Sequence, residues 1–282
     1  MTLAATALVL SAALLHALWN AILKVSGERL LTMAVLLGVG ATLAALALPF
    51  VPAPSPTAWR YLWGTFIIHQ IYFIGLLKAY EHGDFSLAYP IARGSAPALV
   101  ALVSGALLDE PLAPAVLFGV VTISFGIMTL TLDREVFRRT SRRSWFYIAL
   151  TAVSIAVYTV VDGSGVRQCE NPLTYVLWMT AIEGAPIALY AVITRRRYIG
   201  VFAKKHGKQA LIAAIAAPVA YGMVLYAYTL GPIAASASLR ETSVLFAAWF
   251  GSRVLREHRG NRRIVASVVI LVGMVLIHGA RH

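Results

Sequence analysis

One cysteine, Cys169, is all that this chain contains, which excludes an internal disulfide and a cysteine-built metal centre. Histidine is sparse as well. The seven histidines form no cluster and no HExxH spacing, so neither a metalloenzyme nor a bound cofactor is expected. Charge is the largest deficit: Asp, Glu, Lys and Arg make up 13% of the 282 residues, against about 25% in a soluble domain. Period-two alternation is also missing, which argues against a membrane barrel, and no polar stretch is long enough for a soluble domain. The net charge of +12 would suit nucleic acid only if it formed a patch on a soluble face, so no nucleic-acid partner is expected.

What is present is hydrophobic. The chain is 59% hydrophobic with a mean hydropathy of +0.76, and it reads as an all-α integral membrane protein whose partner is the lipid bilayer. Apolar segments between polar or Pro/Gly breaks predict ten transmembrane helices: 3–23, 31–51, 60–80, 86–108, 112–132, 145–165, 173–193, 209–230, 233–252 and 263–279. The opening MTLAATALVLSAALLHALWN lacks a basic n-region and outruns a signal h-region, so it is expected to be a retained span.

Nineteen of the 24 Lys and Arg fall in the odd-numbered connections, chiefly DREVFRRTSRRS, TRRRYIGVFAKKHGK and the stretch from Arg253 to Arg263. The even connections and the C-terminus hold only Arg60, Arg167 and Arg281. By the positive-inside rule the odd connections are cytoplasmic. The expected location is therefore the inner (plasma) membrane, multi-pass, with both termini non-cytoplasmic. Attraction to anionic headgroups would act on the same face.

The halves of the chain resemble each other. SLAYPIARGSAPALVALVSGALLDEPL (86–112) aligns with IAASASLRETSVLFAAWFGSRVLREHR (233–259) at an offset of 147, matching Arg93 to Arg240 and Glu110 to Glu257. HALWNAILK (16–24) takes the place of SIAVYTVVD (154–162). Five spans per half make the second half inverted, giving two inverted five-helix repeats, residues 1–137 and 138–282. Such repeats place a site near the midplane at their interface and allow alternating access.

This pattern, with penultimate spans ending in LLDEPL and VLREHR and the LHALWNAILK signature of the first span, resembles the EamA-type branch of the drug/metabolite transporter superfamily. The resemblance covers nearly the whole chain. It implies a secondary transporter of small metabolites, often an exporter, with a cavity lined by the first, third, fourth, sixth, eighth and ninth helices. The termini depart from the family's usual picture, being placed outside the cytoplasm by their basic connections.

An ionisable residue within a span is a functional candidate. Arg93 and Arg240 suit a clamp on a carboxylate, phosphonate or phosphate; the bland alternative is an anchor to helix-end carbonyls. Pro90 and Pro97 should loosen the helix around Arg93. Ser236, Arg240 and Ser243 share one face, from which Glu241 points about 100° away, so Glu241 should not pair with Arg240 and should meet Arg93 or another helix. Glu241, Asp162 and Glu183 are candidate proton carriers, or else buried pairs that fix helix register. His69 either senses a proton or makes a helix contact.

Trp19, Asn20, Tyr72, Tyr89, Tyr158 and Tyr221 are candidate lining residues, with Tyr226 and Trp178 as further aromatic surfaces for a substrate. Asp109 and Glu110 are expected to close the fourth helix, and the family resemblance implies that Glu110 and Glu257 cap or brace helix ends. The substrate expected is a small anionic or zwitterionic metabolite such as an amino acid, organic acid or phosphonate, moved outward, with proton coupling as one reading of the acids. The aromatic lining equally suits cationic or amphipathic compounds. An intramembrane enzyme would need a convergent catalytic set, which the Asp, Ser and His residues do not form, and a receptor or scaffold subunit would need a partner. A monomer can complete the cavity, and a homodimer is equally open.

Overall fold

The computed structural model describes residues 2–25, 29–82, 85–108, 110, 112–131, 134–246 and 261–279, and among them every regular element is helical. In chain order these are α1 (Leu3–Val25), α2 (Arg29–Ala47), α3 (Pro56–His82), α4 (Phe85–Leu107), α5 (Pro114–Met128), α6 (Arg134–Arg139), α7 (Arg142–Val166), α8 (Pro172–Thr229), α9 (Ile233–Arg240) and α10 (Asn261–Gly279). Six of them, α1 to α4, α7 and α8, are long and apolar enough to cross a membrane, and α5 and residues 264–279 are shorter apolar helices. Apolar side chains also cover the outside of the bundle, with Ile67, Leu102, Phe118 and Val275 all well exposed. That surface suits lipid.

The 58 residues of α8 are far more than one crossing requires. The helix is broken at Arg195, whose φ of −128° and ψ of 18° are non-helical, giving two arms, 172–194 and 196–229. The basic stretch 196–208, expected to be a loop, is instead helical. Lys, Arg and Ala are good helix formers, and Phe202 within the stretch and Ala210 just beyond it are buried in a cluster with Leu31, Ala34, Phe73 and Ile187.

Two further expectations fail. The prolines do not open α4, which runs helical through Pro90 and Pro97; its packing against α5 and α7 holds it, and Ser95 Oγ donates to the Ile91 carbonyl at 2.6 Å beside the interrupted ladder. The expected ninth span breaks instead. α9 ends at Arg240, Glu241 N bonds to Ser238 O and Thr242 N to Leu239 O in tighter, three-residue turns, residues 243–246 are helical again, and 247–252 lie outside the described residues. Glu257 and Asp109, expected at helix ends, lie outside the described residues.

Small residues set the closest helix contacts. A Cβ on Gly184 would strike the Leu37 carbonyl and lie 2.8 Å from Ala41 Cβ, while one on Gly38 would lie 2.9 Å from Ala188 Cβ. At the α5–α10 crossing, a Cβ on Gly119 would lie 2.8 Å from Gly273 O and one on Gly273 would lie 2.8 Å from Gly119 O. Small-residue faces let helix backbones approach where lipid provides no hydrophobic drive. α7 packs on α3 and α4, α1 on α8 and α9, and α4 on α9. Those contacts carry the inward faces of α1, α3, α4, α7, α8 and α9 towards one polar interior.

Candidate functional site

Arg93 and Arg240 approach from α4 and α9 and share a single carboxylate. Arg93 Nε donates to Glu241 Oε2 at 3.0 Å. Arg240 donates to Glu241 Oε1 from Nη2 at 3.2 Å and from Nε at 3.4 Å. The three residues are 5%, 4% and 1% exposed, so neither arginine snorkels to a membrane surface. The sequence-based expectation that Glu241 avoids Arg240 is therefore corrected, while its meeting with Arg93 is as expected. The angular argument set the two side chains on separate faces, but Glu241, with φ −67° and ψ −10°, stays on the helical path and the long Arg240 side chain reaches round to its carboxylate.

Arg93 Nη2 also lies 3.2 Å from His16 Nε2. Arginine can only donate, so that imidazole nitrogen accepts and carries no proton in this contact. His16 meets Trp19 edge to face at 4.9 Å. The guanidinium carbons of Arg93 and Arg240 stand 6.0 Å and 5.9 Å from the Tyr89 and Tyr221 ring centroids, within cation–π range. Ser236 is fully buried on α9, one turn before Arg240.

A second group is acidic. Asp162, fully buried on α7, accepts from Tyr221 OH at 2.6 Å and from Tyr175 OH at 3.0 Å. Glu183, on the first arm of α8, lies 3.0 Å from His69 Nδ1. That nitrogen also faces Thr65 Oγ1 at 2.9 Å and the Thr65 carbonyl at 3.2 Å. Surrounded by acceptors, Nδ1 is the protonated position. Tyr158 stacks on His69 at 4.1 Å, and Tyr72 stands 5.5 Å from Tyr158.

Tyr221 joins the two groups, its hydroxyl on Asp162 and its ring against Arg240. The basic pole holds two guanidinium groups and one carboxylate, an excess of one positive charge. The acidic pole holds two carboxyl groups and one imidazole, an excess of at least one negative charge when both acids are ionised. They are separated by the width of a tyrosine, and in a medium of low dielectric each excess favours an opposite charge strongly. Such an arrangement can orient a small polar molecule whose two ends differ in charge.

Other predicted residues sit elsewhere. Asn20 donates to the His16 carbonyl at 2.8 Å on its own helix. Trp178 meets Trp59 at 5.0 Å. Tyr226 lines a separate apolar groove of about 460 Å³ with Leu43, Leu173, Val176, Ile215 and Val219. Glu110 pairs with Arg167 and accepts from Ile233 N at 3.2 Å, capping α9 as a bracing residue should. His16, Thr65 and Tyr175 were not singled out in the sequence. His16 had a signal, standing one turn before Asn20 in the LHALWN stretch; the other two had none.

Residues 143–279 match the model of the EamA-like transporter family. No curated protein matches the sequence. One solved crystal structure of a protein is similar over 98% of this chain and 96% of its own, with a TM-score of 0.79 and 18% identity. At that identity the likeness establishes a shared fold alone.

Proposed function

We propose that this chain, whose residues 143–279 match the EamA-like transporter family, is a transporter that exports a small anionic or zwitterionic metabolite by alternating access. The observation that carries this reading is the convergence of Arg93 and Arg240 on one buried carboxylate. An arginine pair is costly in a membrane interior unless it serves a polar ligand or path, and guanidinium groups suit carboxylate, phosphonate or phosphate. The acidic pole of Asp162 and Glu183 suits an ammonium group at the substrate's other end. An amino acid is the simplest molecule with both.

The inverted-repeat reading, with units 1–137 and 138–282 and ten crossings, draws support from contacts that recur when the halves are exchanged. Gly38 and Gly184 meet each other's helices, at Ala188 and Ala41, and Gly119 and Gly273 face each other. A site at that interface is where two rocking halves would expose it alternately. The basic connections favour an inner-membrane protein with both termini non-cytoplasmic. Asp162, Glu183, His69 and Glu241 are the groups through which a proton gradient would couple. A cationic substrate is the second reading, favoured by the two carboxylates and the Tyr72, Tyr158 and Tyr221 rings.

Thermal-shift measurements on purified wild type, Arg93→Ala and Arg240→Ala with acetate, L-alanine and methylphosphonate test the basic pole. Stabilisation should be lost in both variants, and equal stabilisation of all three proteins sinks the two-arginine site. Proteoliposome efflux indifferent to a pH gradient would sink proton coupling.

A further inference from the structure

Resting on that reading, we infer that Glu241 sets the charge of the substrate's acid group: the basic pole takes a monoanion and rejects a dianion. Two guanidinium groups that enter from α4 and α9 would repel each other across a buried space. Glu241 neutralises one of these charges and ties the pair together, with Oε2 on Arg93 and Oε1 on Arg240. Glu241 takes Nε of Arg93 and both Nε and Nη2 of Arg240, and His16 takes Nη2 of Arg93, which leaves Nη1 of each guanidinium for whatever binds beside it. His16 faces Arg93 through an acceptor nitrogen and adds no charge in this arrangement. The Tyr89 and Tyr221 rings flank the guanidinium groups as neutral π faces. One unit of positive charge is left, which a single carboxylate or sulfonate balances.

A dianion would leave the pole with net negative charge in a closed space. At about 5 Å and an effective dielectric constant of about 20, one unit charge on another is worth roughly two orders of magnitude in an equilibrium constant. Glu241 is thus a specificity-determining residue that positions both arginines. Sequence pattern points only to a carboxylate next to an arginine; the packing of α4 against α9 is what brings Arg93 onto the same carboxylate.

The test compares methanesulfonate and sulfate, which share a tetrahedral oxyanion head and differ by one charge. Affinities are read by calorimetry at fixed pH and constant ionic strength on wild type, Glu241→Gln, and the double variant Arg240→Gln/Glu241→Gln. Wild type should prefer methanesulfonate. Glu241→Gln raises the pole to two positive charges and should shift the ratio towards sulfate by about tenfold or more. The double variant returns the pole to one positive charge and should restore the wild-type preference, and Glu241→Asp should keep it. An unchanged ratio in Glu241→Gln, or in the double variant a ratio still shifted towards sulfate, overturns the assignment. Should Glu241→Gln not fold, Glu241→Asp and the double variant decide: loss of monoanion preference in either overturns it. Methanesulfonate affinity unaltered in Arg93→Ala refutes instead the two-arginine site on which the assignment rests.

Discussion

Gly184→Val is the sharpest test of how α2 and the first arm of α8 hold the acidic pole. A Cβ at Gly184 would fall on the Leu37 carbonyl and 2.8 Å from Ala41 Cβ, whereas carbon atoms rest at about 3.5–4.0 Å. The obstacle is backbone, which cannot rotate aside, so the helices must part by about 1 Å. Overpacking of this kind costs about 1–3 kcal/mol, and valine's two methyl groups put it at the upper end. Replacing glycine by valine in a helix returns about 0.4 kcal/mol of propensity. The net loss is therefore about 2 kcal/mol or more, roughly a thirtyfold change in the folded-to-unfolded ratio.

Gly207→Val is the control, since no atom lies within 4 Å of a Cβ built there; its stability should stay within about 0.5 kcal/mol of wild type. Equilibrium unfolding in mixed micelles titrated with dodecyl sulfate measures both. Because Glu183 is the neighbour of Gly184, parting the helices also draws its carboxylate from His69, 3.0 Å away, and transport should fall further than stability alone accounts for. A Gly184→Val protein as stable as Gly207→Val would refute the close α2–α8 approach.

Arg167 donates to the Tyr228 carbonyl at 2.8 Å and the Gly231 carbonyl at 2.9 Å and pairs with Glu110. Arg167→Ala should therefore lose about 2 kcal/mol in the same assay, and an unchanged midpoint would remove its bracing role. Tyr221→Phe removes the shorter of the two tyrosine hydroxyl bonds to Asp162, 2.6 Å against 3.0 Å for Tyr175. It should cost about 1–3 kcal/mol and lower proteoliposome flux, whereas flux equal to wild type would separate Asp162 from the transport path. Burial raises the thiol of Cys169, in the connection between α7 and α8, above its ordinary value, with the Ser55 backbone contact a smaller opposing influence. The thiolate fraction, and with it alkylation by iodoacetamide, should still be climbing above pH 8.5, the ordinary cysteine midpoint of about that value; a plateau below pH 8 would contradict the buried setting.

Much of the molecule could be read from residue order. Apolar runs located α1 to α5 and α7 within a few residues, and a constant offset paired Arg93 with Arg240. Three local predictions failed, two of them because a neighbour intervened. The stretch 196–208 looked like a basic loop until α2 offered Phe202 and Ala210 a surface. Pro90 and Pro97 looked like breaks, yet α5 and α7 hold α4 helical through both. The proline-free stretch after Ile233 broke instead. His69 and Glu183 were each identified, but they lie 114 residues apart and nothing in either segment announces their contact.

Residue order alone determined that this chain belongs in a membrane, roughly where its helices run, which connections carry the positive charge, and which ionisable residues would have to be buried. Hydrophobicity and charge do this by acting on each segment against its solvent, without reference to any other segment. Tertiary structure decided which of those residues meet: Glu241 between Arg93 and Arg240, His16 against Arg93, and the Tyr175 and Tyr221 hydroxyls on Asp162. Helical periodicity gives a side chain's angle about its own axis only. The rotation of each helix against its neighbours depends on how small residues such as Gly184 and Gly119 let backbones close together.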